Sequence, residues 1–149
     1  MSTILVLQGP NLNLLGGREP EIYGHETLDE IHGMIEGRAT ELGMRVRFFQ
    51  SNHEGALIDR LHERDFDFAI VNAGGLTHTS VALRDALLAV QRPFVEVHLS
   101  DPGRREPFRQ VNYLRDVAVE SIVGLGPCGY LLALEALARH EAEEADRGG

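Results

Sequence analysis

Short runs of apolar residues alternate along the chain with stretches in which apolar residues recur at helical spacing. The runs predict strands at residues 4–8, 45–50, 68–72, 94–98 and 121–125, and the helical stretches predict helices at 27–42, 54–64, 80–90 and 129–143. Because most of these strands are apolar throughout, helices are expected to cover both faces of the sheet. The pattern therefore predicts an α/β fold with a five-stranded parallel sheet between two layers of helices.

Several helix ends are marked by capping residues. Thr27 and Glu30 have the spacing of a capping box, and Gly43 is placed to end the helix that they begin. Ser51 and Glu54 repeat the capping-box spacing before the next helix. Residues 1–149 contain no internal repeat or linker and are predicted to form one domain, with a small, charged tail at 141–149 that is expected to fray.

Composition narrows the possible partners and locations. The chain has 149 residues and a net charge of −9, which disfavours nucleic acid, because such binding depends on Lys and Arg neutralising phosphates. The one cysteine, Cys128, has no intrachain disulfide partner and no basic neighbour, so it is expected to be buried and inert. Without a signal-peptide pattern or an apolar run of membrane-spanning length, the sequence predicts a cytoplasmic protein with no membrane partner.

All 14 basic residues are arginine. Chemistry that uses a lysine, such as Schiff-base formation or a P-loop, is therefore excluded. A positive charge in a site must come from Arg, which suits planar carboxylates because it can bind them through two parallel hydrogen bonds.

Polar residues follow four of the predicted strands at the point where each strand ends. Because ligands of open parallel sheets bind beyond the carboxyl ends of the strands, these residues predict a site at that edge. Two glycines between residues 72 and 80 allow backbone amides to approach a ligand, and the backbone amides of Leu99 and Ser100 could hold a carboxylate. The polar segments are Asn11 and Asn13, 51–54, 72–80 and 98–100.

Two short segments suggest a general base and a general acid. A phenol ordinarily ionises only near pH 10, but a guanidinium a few Å away stabilises the phenolate, and Arg18 lies five residues before Tyr23 in a long loop. Glu96 and His98 lie two apart on a strand and face the same side, so the carboxylate can orient the imidazole directly or through a water. The alternative for Arg18 and Tyr23 is simple packing at the surface.

The remaining histidines give little sign of a metal site. His53, Glu54 and His98 fall on different loops, and no helix carries the spacing of a zinc motif, so no metal is predicted. Four other histidines are expected to be solvated: His25, His32, His62 and His140.

Taken in order, these segments resemble the motifs of the type II 3-dehydroquinate dehydratases, over roughly residues 4–140. The motifs are Gly9-Pro10-Asn11-Leu12-Asn13-Leu14-Leu15-Gly16, Arg18-Glu19-Pro20 with Tyr23-Gly24, Gln50-Ser51-Asn52-His53-Glu54-Gly55, Asn72-Ala73-Gly74-Gly75-Leu76-Thr77-His78-Thr79-Ser80, Glu96-Val97-His98-Leu99-Ser100 and Arg105-Glu106-Pro107-Phe108-Arg109. The resemblance implies a flavodoxin-like three-layer sandwich and a homododecamer built as a tetramer of trimers. It also implies a cofactor-free enzyme of the shikimate pathway that converts 3-dehydroquinate to 3-dehydroshikimate by enolate-type elimination of water.

The resemblance also implies a role for each matching residue. Tyr23 would be the base, Arg18 would favour its anion, and His98, backed by Glu96, would be the acid. Asn11 would hold a water at the enolate oxygen, and Arg105 would be a second positive charge near Tyr23. Substrate would be bound by Asn72, His78, Leu99, Ser100 and Arg109, with Asp85 reaching into the site of a neighbouring subunit.

Two positions depart from the family pattern and leave alternatives open. Asp101 stands where Asn is usual and places a negative charge beside the expected carboxylate site, and Val111-Asn112 replaces the usual His-Ser. These changes leave open an assembled but inactive homologue. A noncatalytic flavodoxin-like module that binds flavin or phosphate is the other alternative, although the loop after the first strand is no compact phosphate cradle and there is no Trp.

Overall fold

The computed structural model describes residues 1–17 and 19–148, and within them a five-stranded sheet has only parallel neighbours. The strands are β1 (Thr3–Gln8), β2 (Arg45–Gln50), β3 (Phe68–Asn72), β4 (Phe94–His98) and β5 (Glu120–Val123). The α-helices are α1 (Pro20–Tyr23), α2 (Leu28–Glu41), α3 (Glu54–His62), α4 (Val81–Val90) and α5 (Cys128–Gly148). The strand order β2-β1-β3-β4-β5 is the flavodoxin order, so the predicted fold class is confirmed.

Alternate residues of β1 pack into two separate apolar cores, one on each face of the sheet. Ile4 and Val6 pack in the core formed with α2 and α5, whereas Leu5 and Leu7 pack in the core formed with α3 and α4. All four side chains are at most 1% exposed. Burial on both faces is the physical reason that this strand is apolar at every position from Ile4 to Leu7.

The helix ends follow one predicted capping box and contradict the other. Thr27 Oγ1 accepts a hydrogen bond from the Glu30 amide at 3.2 Å, and the Glu30 carboxylate accepts one from the Thr27 amide at 3.3 Å. Ser51 does not cap α3: its hydroxyl accepts from the His53 amide, and His53 is the residue that precedes the helix. The Glu54 carboxylate accepts instead from the hydroxyl of Ser80.

The C-terminal helix differs from the prediction in its length and at its first residue. α5 continues to Gly148, so the segment expected to fray is helical over the residues that the structure describes. Cys128 is exposed rather than buried, because it opens the helix while the next two residues, Gly129 and Tyr130, begin its buried face. No helix in the described part of the chain has both the length and the apolar character needed to cross a membrane.

Two histidines that were expected to be solvated are partly buried against aromatic rings. His32 stacks on Phe48 with ring centroids 4.1 Å apart, and burial lowers the pKa of His32 despite the opposing charge of Asp29. His140 lies edge-on to Phe68 at 6.1 Å. Both rings cover the edge of the apolar core on the α2 and α5 face, which the sequence pattern did not predict.

Candidate active site

A cavity of about 140 Å³ opens beyond the carboxyl ends of β1, β3 and β4, where the strand order reverses. Its position agrees with the edge predicted from the polar strand ends. The predicted site residues that line it are Asn11, Tyr23, Asn72, His78, His98, Leu99, Ser100, Arg105 and Arg109.

Three predicted site residues stand apart from this lining. Glu96 is fully buried behind His98. Asp85 lies exposed on α4 and does not line the cavity of its own chain. Arg18 lies outside the described residues.

Close packing of two loops forms one wall of the cavity. The Gly9 amide donates to the carbonyl of Asn72 at 2.8 Å, and a Cβ at Gly9 would come within 2.4 Å of the Ala73 carbonyl oxygen. Asn11, with φ of 71°, turns the chain beyond this contact, and its amide donates to Asn52 Oδ1 at 2.9 Å. The glycine at position 9 therefore brings the segments after β1 and β3 together at the site.

The pairing of Glu96 and His98 is direct. His98 Nε2 lies 2.9 Å from Glu96 Oε2, and because an ionised carboxylate only accepts, Nε2 is the nitrogen that donates. Asn112 Nδ2 donates to the same carboxylate at 2.8 Å, and the Ser121 hydroxyl donates to its other oxygen. His98 Nδ1 makes no hydrogen bond to the described residues and is the ring nitrogen left for a ligand.

Opposing effects set the charge of Glu96. Burial acts to raise the pKa of this carboxyl, but the hydrogen bond and charge of His98, with the hydrogen bonds from Ser121 and Asn112, outweigh it and hold the pKa below its usual value. Glu96 is therefore an anion at neutral pH. A buried anion bound to Nε2 holds the imidazole in one orientation and in one tautomer.

Tyr23 meets a guanidinium at the mouth of the cavity. Arg105 Nη1 donates to the Tyr23 hydroxyl at 2.8 Å, and the guanidinium carbon lies 5.3 Å from the ring centroid. The predicted closeness of Arg105 and Tyr23 is confirmed. The phenolic oxygen therefore lies against a fixed positive charge.

Two guanidinium groups line the cavity, and both lie near the carboxylate of Glu106: Arg109 Nε donates to Glu106 Oε2 at 2.5 Å, and Arg105 Nε is 3.9 Å from the same oxygen. No Asp or Glu of the described residues lines the cavity. His78 also lines it and donates from Nδ1 to the Val111 carbonyl at 2.6 Å; burial lowers the pKa of His78, and the nearby charges of His98 and Arg109 lower it further. The lining therefore offers a small ligand two guanidinium groups that Glu106 also contacts.

Asp101, which the sequence places beside the expected carboxylate site, contacts residues of its own turn. Its carboxylate accepts from the Gly103 amide at 3.0 Å and lies 3.5 Å from Arg104. Both contacts cap the short turn at Pro102–Arg104, and Asp101 does not line the cavity.

The residues considered for a metal site are engaged in other contacts. Glu54 binds Ser80, His98 binds Glu96, and His53 is exposed before α3. Within residues 1–17 and 19–148, no group of three His, Cys, Asp or Glu side chains is placed to hold a metal ion.

Four polar residues that the sequence did not indicate as site residues form hydrogen bonds with Glu96 or with the chain that ends at Asn72. Asn112 and Ser121 bind Glu96, and Tyr130 with Gln8 forms a buried chain to Asn72. Gln8 gave a usable signal, since it is the one polar residue in the predicted run at 4–8. Asn112 was visible only as a departure from the family pattern, and Ser121 and Tyr130 carried no signal.

Known proteins are similar to this chain over most of its length. A family model described as dehydroquinase class II matches residues 2–138. A 3-dehydroquinate dehydratase of Methylococcus capsulatus is 59% identical over 139 residues, which cover 91% of this chain and 94% of that protein. The 3-dehydroquinate dehydratase 1 of Pseudomonas aeruginosa is 58% identical and covers 91% of this chain and 95% of its own length.

A solved structure is similar to this chain in its backbone as well as in its sequence. The type II dehydroquinase of Butyrivibrio crossotus aligns with a TM-score of 0.89 at 41% identity, covering 91% of this chain and 97% of that one. The sequence identity, the backbone alignment and the order of the motifs therefore indicate the same family over nearly the whole chain. We conclude that this chain belongs to the class II dehydroquinase family.

Proposed function

We propose that this chain is a 3-dehydroquinate dehydratase that eliminates water through an enolate, with Tyr23 as base and His98 as acid. One observation carries the proposal. A phenol bound to a guanidinium at 2.8 Å and an imidazole held by a buried carboxylate at 2.9 Å line the same small cavity. Removal of a proton next to a ketone and protonation of a leaving hydroxyl require two such groups.

In the first step, the phenolate of Tyr23 takes the proton from the carbon next to the substrate ketone. The electron pair of that C–H bond moves to form the carbon–carbon double bond of the enolate, and negative charge collects on the former ketone oxygen. Arg105 stabilises the phenolate before the transfer, and we assign Arg18 the same role from the sequence. Asn11, at the cavity wall, is placed to hold a water that donates to the enolate oxygen.

In the second step, the enolate reforms the ketone and expels the hydroxyl group on the β carbon. His98 donates a proton from Nδ1 to that hydroxyl, so it leaves as water. Glu96 stabilises the imidazolium from the other side of the ring. The proton gained by Tyr23 returns to His98 through solvent, which restores both groups.

The rest of the lining binds the substrate in this proposal. We place the substrate carboxylate near Arg109 and the backbone of Leu99 and Ser100, and its hydroxyl groups near Asn72 and His78, because these residues line the cavity. No cofactor and no metal take part in these steps.

We further propose that the site is completed in a homo-oligomer, a dodecamer of four trimers. Asp85 lies on an exposed face of α4, with Val81 one turn before it and Leu88 one turn after it. Val81 is 51% and Leu88 is 49% exposed, so an acid is flanked by apolar side chains on both sides. A neighbouring chain that covers this face would bury the apolar pair and receive the carboxylate of Asp85.

A noncatalytic flavin-binding module is disfavoured by the geometry. The cavity of about 140 Å³ is smaller than the roughly 300 Å³ typical of pockets for drug-sized ligands. Its aromatic rings are Tyr23 and two histidines, and each of the three makes a polar contact.

The proposal is tested by adding 3-dehydroquinate to the purified chain and following the absorbance of the conjugated enone. Turnover that persists after chelator treatment and gives no covalent adduct with borohydride is the expected result. An assembled chain that produces no enone would instead be the inactive homologue. Turnover lost to chelator and restored by a divalent ion would overturn the proposed chemistry.

A further inference from the structure

A buried chain of hydrogen bonds runs behind the cavity between two strands and α5. Gln8 and Asn72 end the neighbouring strands β1 and β3 and face each other in the sheet register. Tyr130 reaches both from α5: Asn72 Nδ2 donates to the Tyr130 hydroxyl at 2.9 Å, and that hydroxyl donates to Gln8 Oε1 at 2.8 Å. Tyr130 and Gln8 are fully buried and Asn72 is 2% exposed.

The direction of each bond in this chain is determined by the group before it. The Gly74 amide can only donate, and it donates to Asn72 Oδ1 at 3.2 Å, so the nitrogen of the Asn72 amide must face Tyr130. Tyr130 therefore accepts from Asn72 and uses its one proton toward Gln8. Gln8 Nε2 then faces His32 Nε2 at 3.4 Å.

This arrangement leaves one hydrogen-bond donor of Asn72 unused by the protein. An amide nitrogen carries two hydrogens, and among the described residues only Tyr130 accepts from it. Asn72 lines the cavity, whereas Tyr130 and Gln8 do not. The tyrosine hydroxyl is also no candidate acid or base, because burial raises the pKa of Tyr130 to about 12.

We propose that Tyr130, supported by Gln8, is a positioning residue that holds the Asn72 amide with its free N–H available to the substrate. The inference rests on the proposed function, in which Asn72 binds a substrate hydroxyl. If the Tyr130 hydroxyl is removed, Gly74 is the one described residue that still binds the Asn72 side-chain amide, which can then rotate or shift. Loss of this restraint should weaken substrate binding more than it slows the chemical step.

The first experiment measures KM, kcat and thermal stability for Tyr130→Phe, which removes one oxygen. The matched control is Tyr113→Phe, since the Tyr113 hydroxyl makes no hydrogen bond to the described residues and does not line the cavity. We expect KM to rise about tenfold in Tyr130→Phe, as for loss of one hydrogen bond, with kcat within about threefold of the parent. A KM equal to that of the control would overturn the proposal.

A second experiment separates positioning from general stability. If Tyr130 acts through Asn72, Tyr130→Phe should raise KM in the parent chain and leave it unchanged in an Asn72→Ala background. An equal rise in both backgrounds would overturn the proposal, because the hydroxyl would then act through some other route. Gln8→Met removes the acceptor of the Tyr130 proton and is also expected to raise KM. It provides the same test if Tyr130→Phe does not fold.

A binding measurement distinguishes failure of this inference from failure of the proposed function. Calorimetry with 3-dehydroquinate is done on Tyr23→Phe, which is expected to bind without turnover, and on Tyr23→Phe combined with Tyr130→Phe. Absence of binding to both would reject the proposed function. Binding to the first with an unchanged Kd in the second would reject the positioning role, and a Kd raised about tenfold is the expected result.

Discussion

At the scale of single residues, the two groups proposed as base and acid each have a different charged neighbour. Tyr23 has a guanidinium beside its oxygen, and His98 has a buried carboxylate behind its ring. A positive neighbour favours loss of a proton from a phenol, and a negative neighbour favours retention of one by an imidazole. The proposed base and the proposed acid therefore face neighbours of opposite charge within one cavity.

Tyr23→Phe is expected to lower kcat by at least about 100-fold, because it removes the only group proposed to accept the substrate proton. Substrate affinity should stay within about threefold of the parent, since the ring and its packing remain. Rate measurement and calorimetry on the same preparation check both parts. Near-normal turnover in Tyr23→Phe would show that another group is the base.

Asn112→Asp is expected to reduce kcat about tenfold while preserving the local turn. Asn112 Oδ1 accepts from the amides of Leu114 and Arg115, and an Asp oxygen can do the same. The Nδ2 donor to Glu96 is lost, however, and a second carboxylate takes its place. Asn112→Ser, which keeps a short donor, is the matched variant, and equal kcat in both variants would contradict the assigned role.

The lowered pKa of Glu96 makes a defined contribution to stability. A carboxyl whose pKa is depressed on folding stabilises the native state above its ordinary value of 4.5, and this contribution is lost as the pH falls toward the folded value. The difference in unfolding free energy between the parent and Glu96→Gln should therefore shrink as the pH is lowered from about 6 to about 3. Denaturant unfolding across that range measures this difference, with the exposed Glu143→Gln as the control. A difference that stays constant with pH would contradict the lowered pKa of Glu96.

At the scale of elements, the contact between the segments after β1 and β3 determines the shape of the cavity wall. Gly9→Ala is expected to destabilise the fold by about 1–3 kcal/mol, because a new Cβ would lie 2.4 Å from a backbone carbonyl oxygen. Gly33→Ala on α2 is the matched control, since nothing lies within 4 Å of its Cβ position and Ala favours helix. Denaturant unfolding of both variants tests the contact, and equal stabilities would show that the two segments can separate at no cost.

At the scale of the whole molecule, the exposed face of α4 leads us to expect a site shared between subunits. Asp85→Ala and Tyr23→Phe oligomers should each be inactive. After dissociation and reassociation of a 1:1 mixture, about a quarter of the sites would combine an intact Tyr23 with an intact Asp85 from the neighbouring chain. Partial recovery of activity is the expected result, whereas no recovery in verified mixed oligomers would refute the shared site.

The sequence alone determined the features that depend on neighbours along the chain. Strand β4 was predicted with its observed bounds, Thr27 and Glu30 form the predicted capping box, and Glu96 meets His98. Each follows from spacing, because residues two apart on a strand share a face and a capping box spans three residues. The polar segments that follow the predicted strands likewise predicted which edge of the sheet holds the cavity.

Tertiary structure alone decided which distant side chains complete the site. Glu96 receives hydrogen bonds from Asn112 and Ser121, 16 and 25 residues away, and Tyr130 joins partners 58 and 122 residues from it. Ser51 has the spacing of a cap, yet Glu54 turns to Ser80 on another helix. Local spacing carries no information about such pairs, because they come into contact only when the helices pack on the sheet. Packing buries these polar groups, and a buried polar group needs a hydrogen-bond partner.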